Sequence, residues 1–201
     1  DRLIIIAALR CEVAALIKYY NLKRNLTITQ FEIYRDREKK IFIAISTIGA
    51  INISNMVGFL FGKNIITKNS IVINFGIAGS KDIPKGELVM INKVTNIENN
   101  KNFYPFELVT HNKLIKAKML SVNKLSSYPE EGLVDMEGYA FIYSLNKYIS
   151  IERMVILKII SDNNLSDIKN INSDSVERLI EGKLSDICLL YTSDAADDLL
   201  C

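Results

Sequence analysis

Hydrophobic and polar positions along the chain follow two patterns, and the first predicts strands. Continuous apolar runs rich in β-branched residues are typical of strands buried on both faces, as in a parallel sheet. The long runs lie at 3–8, 71–75, 88–94 and 154–160. Shorter runs predict further strands at 31–34, 41–45, 118–122 and 133–135.

The second pattern is apolar residues at helical spacing between these runs. It predicts helices over 12–20, after Ala50, over 136–148 and after Asp174. The third helix places Met136, Tyr139, Ala140 and Tyr143 on one core-facing stripe, and Asp174 with Glu177 has the spacing of a capping box. The alternation of strands and helices predicts a single α/β domain.

Composition narrows the class of partner. The chain has 201 residues, is 49% hydrophobic and 24% charged, and carries a formal net charge of +2. This balance predicts no nucleic-acid or membrane partner, and no apolar run is long enough to span a bilayer. The three cysteines have neither metal-ligand spacing nor a disulfide framework, so a cytoplasmic location is expected.

The two ends of the chain read differently from its middle. The chain does not begin with methionine, and the stretch after Ile187 resembles translated sequencing adapter. We therefore expect one domain over 1–186 with a shortened closing helix, followed by a non-native tail over 187–201.

Three acidic residues fall where predicted strands end or helices begin: Glu12, Glu137 and Asp162. In open α/β sheets, ligands bind at the carboxyl ends of the strands. Glu137 alone could equally be a helix-dipole partner. Since the chain lacks a cysteine–histidine pair, a metal cluster and a phosphate loop, carboxylates are the available catalysts. Acids in a cleft suit cleavage at a sugar carbon, where one protonates the leaving group and another handles water or hydroxyls.

Other candidate residues carry less information. The small residues of 76–80 allow backbone N–H groups to approach a ligand, but the stretch lacks both the Walker pattern and the third glycine of a dinucleotide fingerprint. Phe103, Tyr104 and Phe106 could stack on a base, although packing of their own loop is favoured. The only histidine, His111, is expected on the surface.

Three ordered motifs together resemble a known family. They are Asn-Phe-Gly-Ile-Ala-Gly at 74–79, Val-Asp-Met-Glu-Gly-Tyr-Ala at 134–140 and Ile-Ile-Ser-Asp at 159–162. They are similar to signatures of the nucleoside phosphorylase and nucleosidase superfamily, nearest to the 5′-methylthioadenosine/S-adenosylhomocysteine nucleosidases. Residues 5–16 with Glu12, and the turn at Gly49, resemble the opening of that family.

The resemblance implies a fold and a reaction. The fold is a three-layer αβα sandwich around a central mixed, partly barrel-like sheet. The reaction is cleavage of the N-glycosidic bond of a purine nucleoside through an oxocarbenium-like state, without a metal or other cofactor. A homodimer or larger homo-oligomer is expected on the same ground.

The resemblance also implies catalytic roles. Asp162 would be the general acid that protonates N7 of the base, and for this it must hold or share a proton near neutral pH. Ser161 would orient Asp162. Glu12 would activate or position the attacking water.

Substrate-binding roles follow in the same way. Glu137 would bind the ribose hydroxyls, and Met136 would pack under the sugar. The backbone of Ile77, Ala78 and Gly79 would line the pocket near the nucleophile.

Departures from the family pattern bear on the nucleophile. Ile77 stands where the family usually has Ser or Thr, and no arginine lies beside Gly76, which favours water over phosphate. Arg10 and Lys158 leave a phosphate-dependent phosphorylase open as an alternative. The short segment over 122–133, in which the family's base-stacking phenylalanine loop is not recognisable, also leaves open a non-catalytic nucleoside-binding domain.

Overall fold

A computed structural model describes residues 2–108, 114–164 and 167–192; His111 lies outside these ranges. Within them, the strands belong to one mixed sheet. They are β1 (Leu3–Ala7), β2 (Lys23–Arg24), β3 (Glu32–Arg35), β4 (Ile41–Ile45), β5 (Ile71–Ser80), β6 (Leu88–Asn96), β7 (Asn102–Phe103), β8 (Ile115–Ser121), β9 (Leu133–Asp135) and β10 (Met154–Asp162).

The sheet has an open half and a closed half. In the open half, β5, β1 and β4 are parallel, and β3 and β2 follow as antiparallel edge strands. In the other half, β5 pairs with both β10 and β9, and β6 and β8 connect these two strands. The five strands therefore form a closed ring, which is the partly barrel-like sheet that the resemblance implied.

Helices cover both faces of the sheet. They are α1 (Ala14–Tyr19), α2 (Ala50–Gly62), α3 (Gly138–Leu145), α4 (Ser173–Glu181) and α5 (Leu184–Thr192), with 3₁₀ turns at Arg10–Glu12, Ile151–Arg153 and Asp167–Asn170. One buried cluster joins the sheet to α2 and α3, and a second joins its other face to α1, α4 and the start of α5. The predicted three-layer αβα sandwich is thus confirmed.

The central strand β1 illustrates why its sequence is apolar throughout. Ile4 and Ile6 enter the cluster on one face, and Ile5 and Ala7 enter the cluster on the other. All four side chains are fully buried. Burying an isoleucine stabilises a fold by about 1.5–3 kcal/mol, so a polar residue at any of these positions would be costly.

Two strands run further than predicted. The sequence placed a strand end at Phe75, but β5 continues to Ser80. The reason is its pairing: Ala78 lies opposite Ile160 of β10, and Gly79 lies opposite Val134 of β9. The small residues are therefore inside a strand, not in a turn after it, and β10 likewise includes Asp162.

The predicted helix over 136–148 is shorter in the structure. α3 begins at Gly138, whose N–H donates to the Asp135 carboxylate at 2.8 Å. The predicted core stripe was wrong at Tyr143, which is 49% exposed. Phe141, Ile142 and Leu145 are the fully buried residues of this helix.

Smaller corrections concern the first and closing helices. The predicted helix over 12–20 is a 3₁₀ turn followed by α1. The capping box of α4 is formed by Asn172 and Ser175, each two residues before the corresponding member of the predicted pair. Ile187 and Cys188, at the start of the tail, are buried in α5. No helix in the described ranges is both long enough and apolar enough to cross a membrane.

Candidate active site

A cavity of about 310 Å³ opens where the parallel strands β1, β5 and β10 end. All eight site residues that the sequence predicted line it: Glu12, Ile77, Ala78, Gly79, Met136, Glu137, Ser161 and Asp162. Phe103, Tyr104 and Phe106 do not line it; Phe103 instead packs on Tyr139 with ring centroids 5.4 Å apart. The volume lies in the range of small-molecule sites.

Glu12 is held by backbone groups from two elements. It sits in the 3₁₀ turn after β1, where its Oε2 accepts from the N–H of Leu9 at 2.8 Å. Its Oε1 accepts from the N–H of Ile77 in β5 at 3.0 Å. Burial raises the pKa of Glu12, and the charge of Lys158 and these N–H donors only partly oppose that effect. A buried carboxylate with a raised pKa is suited to accept a proton near neutral pH.

Gly76 makes room for this carboxylate. A Cβ at Gly76 would lie 2.5 Å from Oε1 of Glu12, closer than such atoms can approach. The glycine was predicted to let backbone approach a ligand; in the structure it lets the carboxylate of Glu12 approach the backbone of β5.

Glu137 lies just before α3 and connects it to α2. Its Oε1 accepts from the N–H of Gly49 at 2.7 Å. Gly49 has a φ of +105°, a conformation that glycine adopts without strain. Burial first, and the nearby charge of Asp135 second, raise the pKa of Glu137 to about 7, against the opposing effect of Lys158.

A buried salt bridge stands behind these acids. Nζ of Lys158, on β10, lies 3.1 Å from Oδ2 of Asp135, and the lysine is 2% exposed. Oδ1 of Asp135 also accepts from the Ser121 hydroxyl at 2.5 Å. Although burial alone would lower the pKa of Lys158, the charges of Asp135, Glu137 and Glu12 together raise it. The lysine therefore stays charged and compensates the surrounding carboxylates.

Asp162 is bound by hydroxyl groups and lies further along β10, opposite Gly79 of β5, whereas Lys158 lies opposite Gly76. We call these two positions the Asp162 end and the Lys158 end of the cavity. Ser161 donates to its Oδ1, and Tyr128 donates to its Oδ2. A bulge in the pairing of β10 with β5 brings Asp162 opposite Gly79. A Cβ at Gly79 would lie 2.4 Å from the Tyr128 ring and 2.8 Å from Oδ2 of Asp162, so the glycine leaves room for both.

The rest of the lining is apolar. The remaining residues are mainly aliphatic: Ala8, Leu9, Ile48, Val122, Leu125, Val134, Ile168 and Ile171, together with Asp135. Among the described residues that line the cavity, none is a lysine, an arginine or an aromatic residue. In the same described part of the chain, no group of His, Cys, Asp and Glu is arranged to hold a metal ion.

The two cations that left phosphate binding open lie elsewhere. Arg10 is exposed and pairs with Glu32 at 3.7 Å. Lys158 is enclosed behind the acids and pairs with Asp135. Neither lines the cavity, because one points to solvent and the other neutralises buried carboxylates.

Sequence analysis missed Asp135 and Tyr128 as part of the site. One feature of the sequence could have predicted the salt bridge. Lys158 is the only charged residue inside the apolar run 154–160, and a buried lysine needs a partner of opposite charge. Tyr128 had no signal, since the segment that carries it shows no periodic pattern.

Several proteins of known structure are similar to this chain. The 5′-methylthioadenosine/S-adenosylhomocysteine nucleosidase of Helicobacter pylori, solved with butyl-thio-DADMe-Immucillin-A, has a TM-score of 0.72 at 15% identity, over 92% of this chain and 98% of that one. Futalosine hydrolase of Helicobacter pylori has a TM-score of 0.72 at 15% identity, with the same two coverages of 92% and 98%.

A third protein is the 5′-methylthioadenosine/S-adenosylhomocysteine nucleosidase of Colwellia psychrerythraea in complex with adenine. Its TM-score is 0.66 at 17% identity, over 91% of this chain and 95% of that one. No protein-family model and no curated protein matches the sequence.

The chain has the nucleosidase fold. The similarity extends over nearly the full length of each of these nucleosidases. The fold class predicted from the three motifs is confirmed. The cavity brings the three predicted acids together from the 3₁₀ turn after β1, from β10 and from the residue before α3.

Proposed function

We propose that the protein hydrolyses the N-glycosidic bond of a purine nucleoside of the 5′-methylthioadenosine or S-adenosylhomocysteine type. One observation carries the proposal: Glu12, Glu137 and Asp162 line one cavity whose described lining contains no lysine or arginine. The proteins of similar fold support the substrate class, since one was solved with a nucleoside analogue and another with adenine.

Asp162 and Glu12 divide the chemistry. In its protonated form, Asp162 donates a proton to N7 of the base, and the electron pair of the bond between C1′ and N9 leaves with the base. Water then attacks the oxocarbenium-like C1′ and gives its proton to Glu12, whose pKa is raised by burial. Ser161, bonded to Oδ1 of Asp162, orients the acid.

Glu137 and Met136 hold the sugar. The Glu137 carboxylate accepts hydrogen bonds from ribose hydroxyls, while the Gly49 N–H fixes its Oε1 at 2.7 Å. This role requires ionised Glu137, so affinity for the nucleoside falls as the pH drops below about 7. Met136 packs under the ribose ring, and the aliphatic lining accepts the base and an apolar 5′ substituent.

Water is the nucleophile in this proposal because a phosphate ion needs cationic or strong hydrogen-bonding partners in the pocket. Ile77 offers no side-chain hydroxyl, and the nearest candidate cations, Arg10 and Lys158, are paired with Glu32 and Asp135. A phosphorylase with this lining would have to bind a doubly charged ion beside the four acidic residues of the cavity.

We also infer a homo-oligomer in the cytoplasm. Ile48, Ile51 and Tyr143 are large, exposed hydrophobic residues on or next to α2 and α3, two helices that pack together. Because Ile48 also lines the cavity, a second copy on this surface would cover the pocket mouth. Sedimentation of the protein and of an Ile51→Asp variant tests this: a dimer that the variant dissociates supports it, and a monomeric parent protein contradicts it.

The function is tested with purified protein and a panel of nucleosides. Methylthioadenosine, adenosylhomocysteine, adenosine, inosine and guanosine are incubated with and without phosphate, and free base and sugar are separated by chromatography. Free base with free ribose sugar, independent of phosphate, is the expected result. Release that depends on phosphate and yields sugar 1-phosphate would instead establish a phosphorylase. Binding of purine nucleosides without release would establish a non-catalytic binding domain.

A further inference from the structure

The segment that connects β8 to β9 lines the cavity with Val122 and Leu125 and also carries Tyr128. Ion pairs attach it to two strands: Lys81, just after β5, lies 2.6 Å from Glu130, and Lys118 of β8 lies 2.7 Å from Glu131. Such exposed pairs stabilise little by themselves. They do, however, attach the chain next to Tyr128 to β8 and to the end of β5, the strand that lines the cavity with residues 77–79.

The return of this segment into β9 is fixed more firmly. The carbonyl of Gly132 accepts from the hydroxyl of the fully buried Ser80 at 2.9 Å. Gly132 has a φ of +90°, and a Cβ there would lie 2.3 Å from the carbonyl oxygen of Lys118. Only glycine fits between the two strands at this point, so the position of the segment is built into the sheet.

Tyr128 contacts the proposed acid directly. Its hydroxyl donates to Oδ2 of Asp162, while Ser161 donates to Oδ1. Its ring lies against the backbone of Gly79, where a Cβ would come within 2.4 Å. Both carboxylate oxygens of Asp162 are therefore engaged by hydroxyl groups of the protein before any base is present.

We propose that Tyr128 is a positioning residue of the base subsite, which holds Asp162 in the free protein and must release Oδ2 before a purine ring nitrogen can take its place. The inference rests on the proposed function, in which Asp162 protonates N7. It adds Tyr128, which no sequence pattern indicated, to the proposed site. It also adds a competition between the Tyr128 hydroxyl and the base for Oδ2 of Asp162.

The competition between the Tyr128 hydroxyl and the base should lower the affinity of the parent protein for the base. A hydrogen bond present only in the free protein opposes binding, because it is broken when the base arrives. In a Tyr128→Phe variant the ring still packs on Gly79 but the hydroxyl is gone. We expect the Kd for adenine and the KM for the nucleoside to fall about threefold to tenfold.

A double-mutant cycle separates this role from simple packing. The affinity for adenine is measured by calorimetry for the parent protein, Tyr128→Phe, Asp162→Ala and the double variant. If the hydroxyl acts through the carboxylate, the gain from Tyr128→Phe disappears in the Asp162→Ala background. Tyr104→Phe, at a residue that is 62% exposed and outside the cavity, is the matched control and should leave Kd unchanged.

The outcomes distinguish the two proposals. Tighter adenine binding by Tyr128→Phe, lost in the double variant, supports the inference. If the parent protein releases base but Tyr128→Phe binds adenine equally or more weakly, the inference is wrong and the hydrolase proposal stands. If the parent protein neither releases base nor binds adenine, the proposed function fails and the role of Tyr128 fails with it.

Discussion

The two ends of the cavity hold their carboxylates in different ways. At one end, Asp162 accepts hydrogen bonds from the hydroxyls of Ser161 and Tyr128. At the other, Asp135 forms a fully buried salt bridge with Lys158 at 3.1 Å. The first arrangement uses neutral donors, and the second uses an opposite charge.

Because their partners differ in charge, the two carboxylates are expected to have different roles. A carboxylate bound by hydroxyls has only neutral partners, so a change in its own charge leaves no oppositely charged group without its partner. In a buried ion pair, neutralising one partner isolates the other, which is strongly destabilising. In the proposed reaction, proton transfer to the base is therefore assigned to the Asp162 end. At the Lys158 end, the lysine charge compensates Asp135, Glu12 and Glu137, and the two glutamates are proposed to bind water and sugar.

The largest effect is expected from removing the transferable proton. In Asp162→Asn the amide keeps the shape of the side chain but has no acidic proton. We expect the rate of base release to fall by about 10²–10⁴-fold, the usual contribution of general acid catalysis. The protein should remain folded, as judged by circular dichroism and thermal melting. Asp174→Asn, in the exposed first turn of α4, is the control; full activity of Asp162→Asn would exclude Asp162 as the acid.

The second prediction removes the positive charge at the other end. Lys158→Met leaves Asp135, Glu12 and Glu137 without their shared counter-charge. The free energy of unfolding should fall by about 3–5 kcal/mol at pH 8, measured by urea denaturation. Because the pKa of Glu137 is raised to about 7, this residue is protonated at pH 5, and the loss should be smaller at that pH.

An exposed ion pair provides the matched control for this variant. Lys116 pairs with Glu107 at 2.5 Å on the surface, where such pairs contribute about 0–1 kcal/mol. Lys116→Met should therefore change the free energy of unfolding little at either pH. Equal losses for the two lysine variants would show that burial of the charges does not matter.

The third prediction concerns the pH dependence of Glu137. Its pKa is about 7 in the folded protein against an ordinary value of 4.5, so the folded state binds the proton more tightly. The stability contributed by this residue is complete below pH 4.5 and is lost as the pH rises towards 7. Glu137→Gln should therefore be more stable than the parent by about 2 kcal/mol above pH 7.

The same variant should lose affinity for the nucleoside, since an amide accepts hydroxyl hydrogen bonds less strongly than a carboxylate. Urea denaturation at pH 5 and pH 8 gives the stability, and KM at the same pH values gives the affinity. Glu181→Gln, on the exposed side of α4, should change neither. If Glu137→Gln is less stable than the parent at pH 8, burial of the charge is not a cost at this position.

The sequence predicted site residues where their position follows directly from the end of a buried strand. Asp162 and Glu12 were recognised because acids after apolar strands meet at the carboxyl edge of a parallel sheet. Their detailed surroundings depend on the closure of the ring, which pairs β10 with β5 across some eighty residues of chain. The register of that pairing sets Lys158 opposite Gly76 and Asp162 opposite Gly79.

Local patterns could not reveal such contacts. The spacing of apolar residues defines which residues are buried, but not which strand lies beside them. The salt bridge of Lys158 with Asp135 and the contact of Tyr128 with Asp162 join segments 23 and 34 residues apart. The end of β5 was misplaced for the same reason: glycine and alanine suggest a turn until a paired strand on each side is known.

The smallest effect is expected from alanine substitutions at two glycines, one in crowded surroundings and one with open space around it. A Cβ at Gly76 would lie 2.5 Å from Oε1 of Glu12, whereas a Cβ at Gly58 in α2 would meet nothing within 4 Å. Gly58→Ala should raise the free energy of unfolding by about 0.5–1 kcal/mol, since alanine favours the helix. Gly76→Ala should lower it by about 1 kcal/mol and reduce the rate of base release by about tenfold, because the carboxylate of Glu12 is displaced from the Ile77 N–H.

We measure base release and urea denaturation for both glycine variants. Together, these measurements test whether catalysis depends on the placement of Glu12 as well as on its charge. A loss of rate in Gly76→Ala with most of the stability retained means that the placement of Glu12, and not only its charge, matters to catalysis. An unchanged rate would mean that Glu12 tolerates displacement, and the attacking water would then need another base from the same end of the cavity. Besides Glu12 and Asp162, the carboxylates that line the cavity are Asp135, which is paired with Lys158, and Glu137, which is therefore the next candidate.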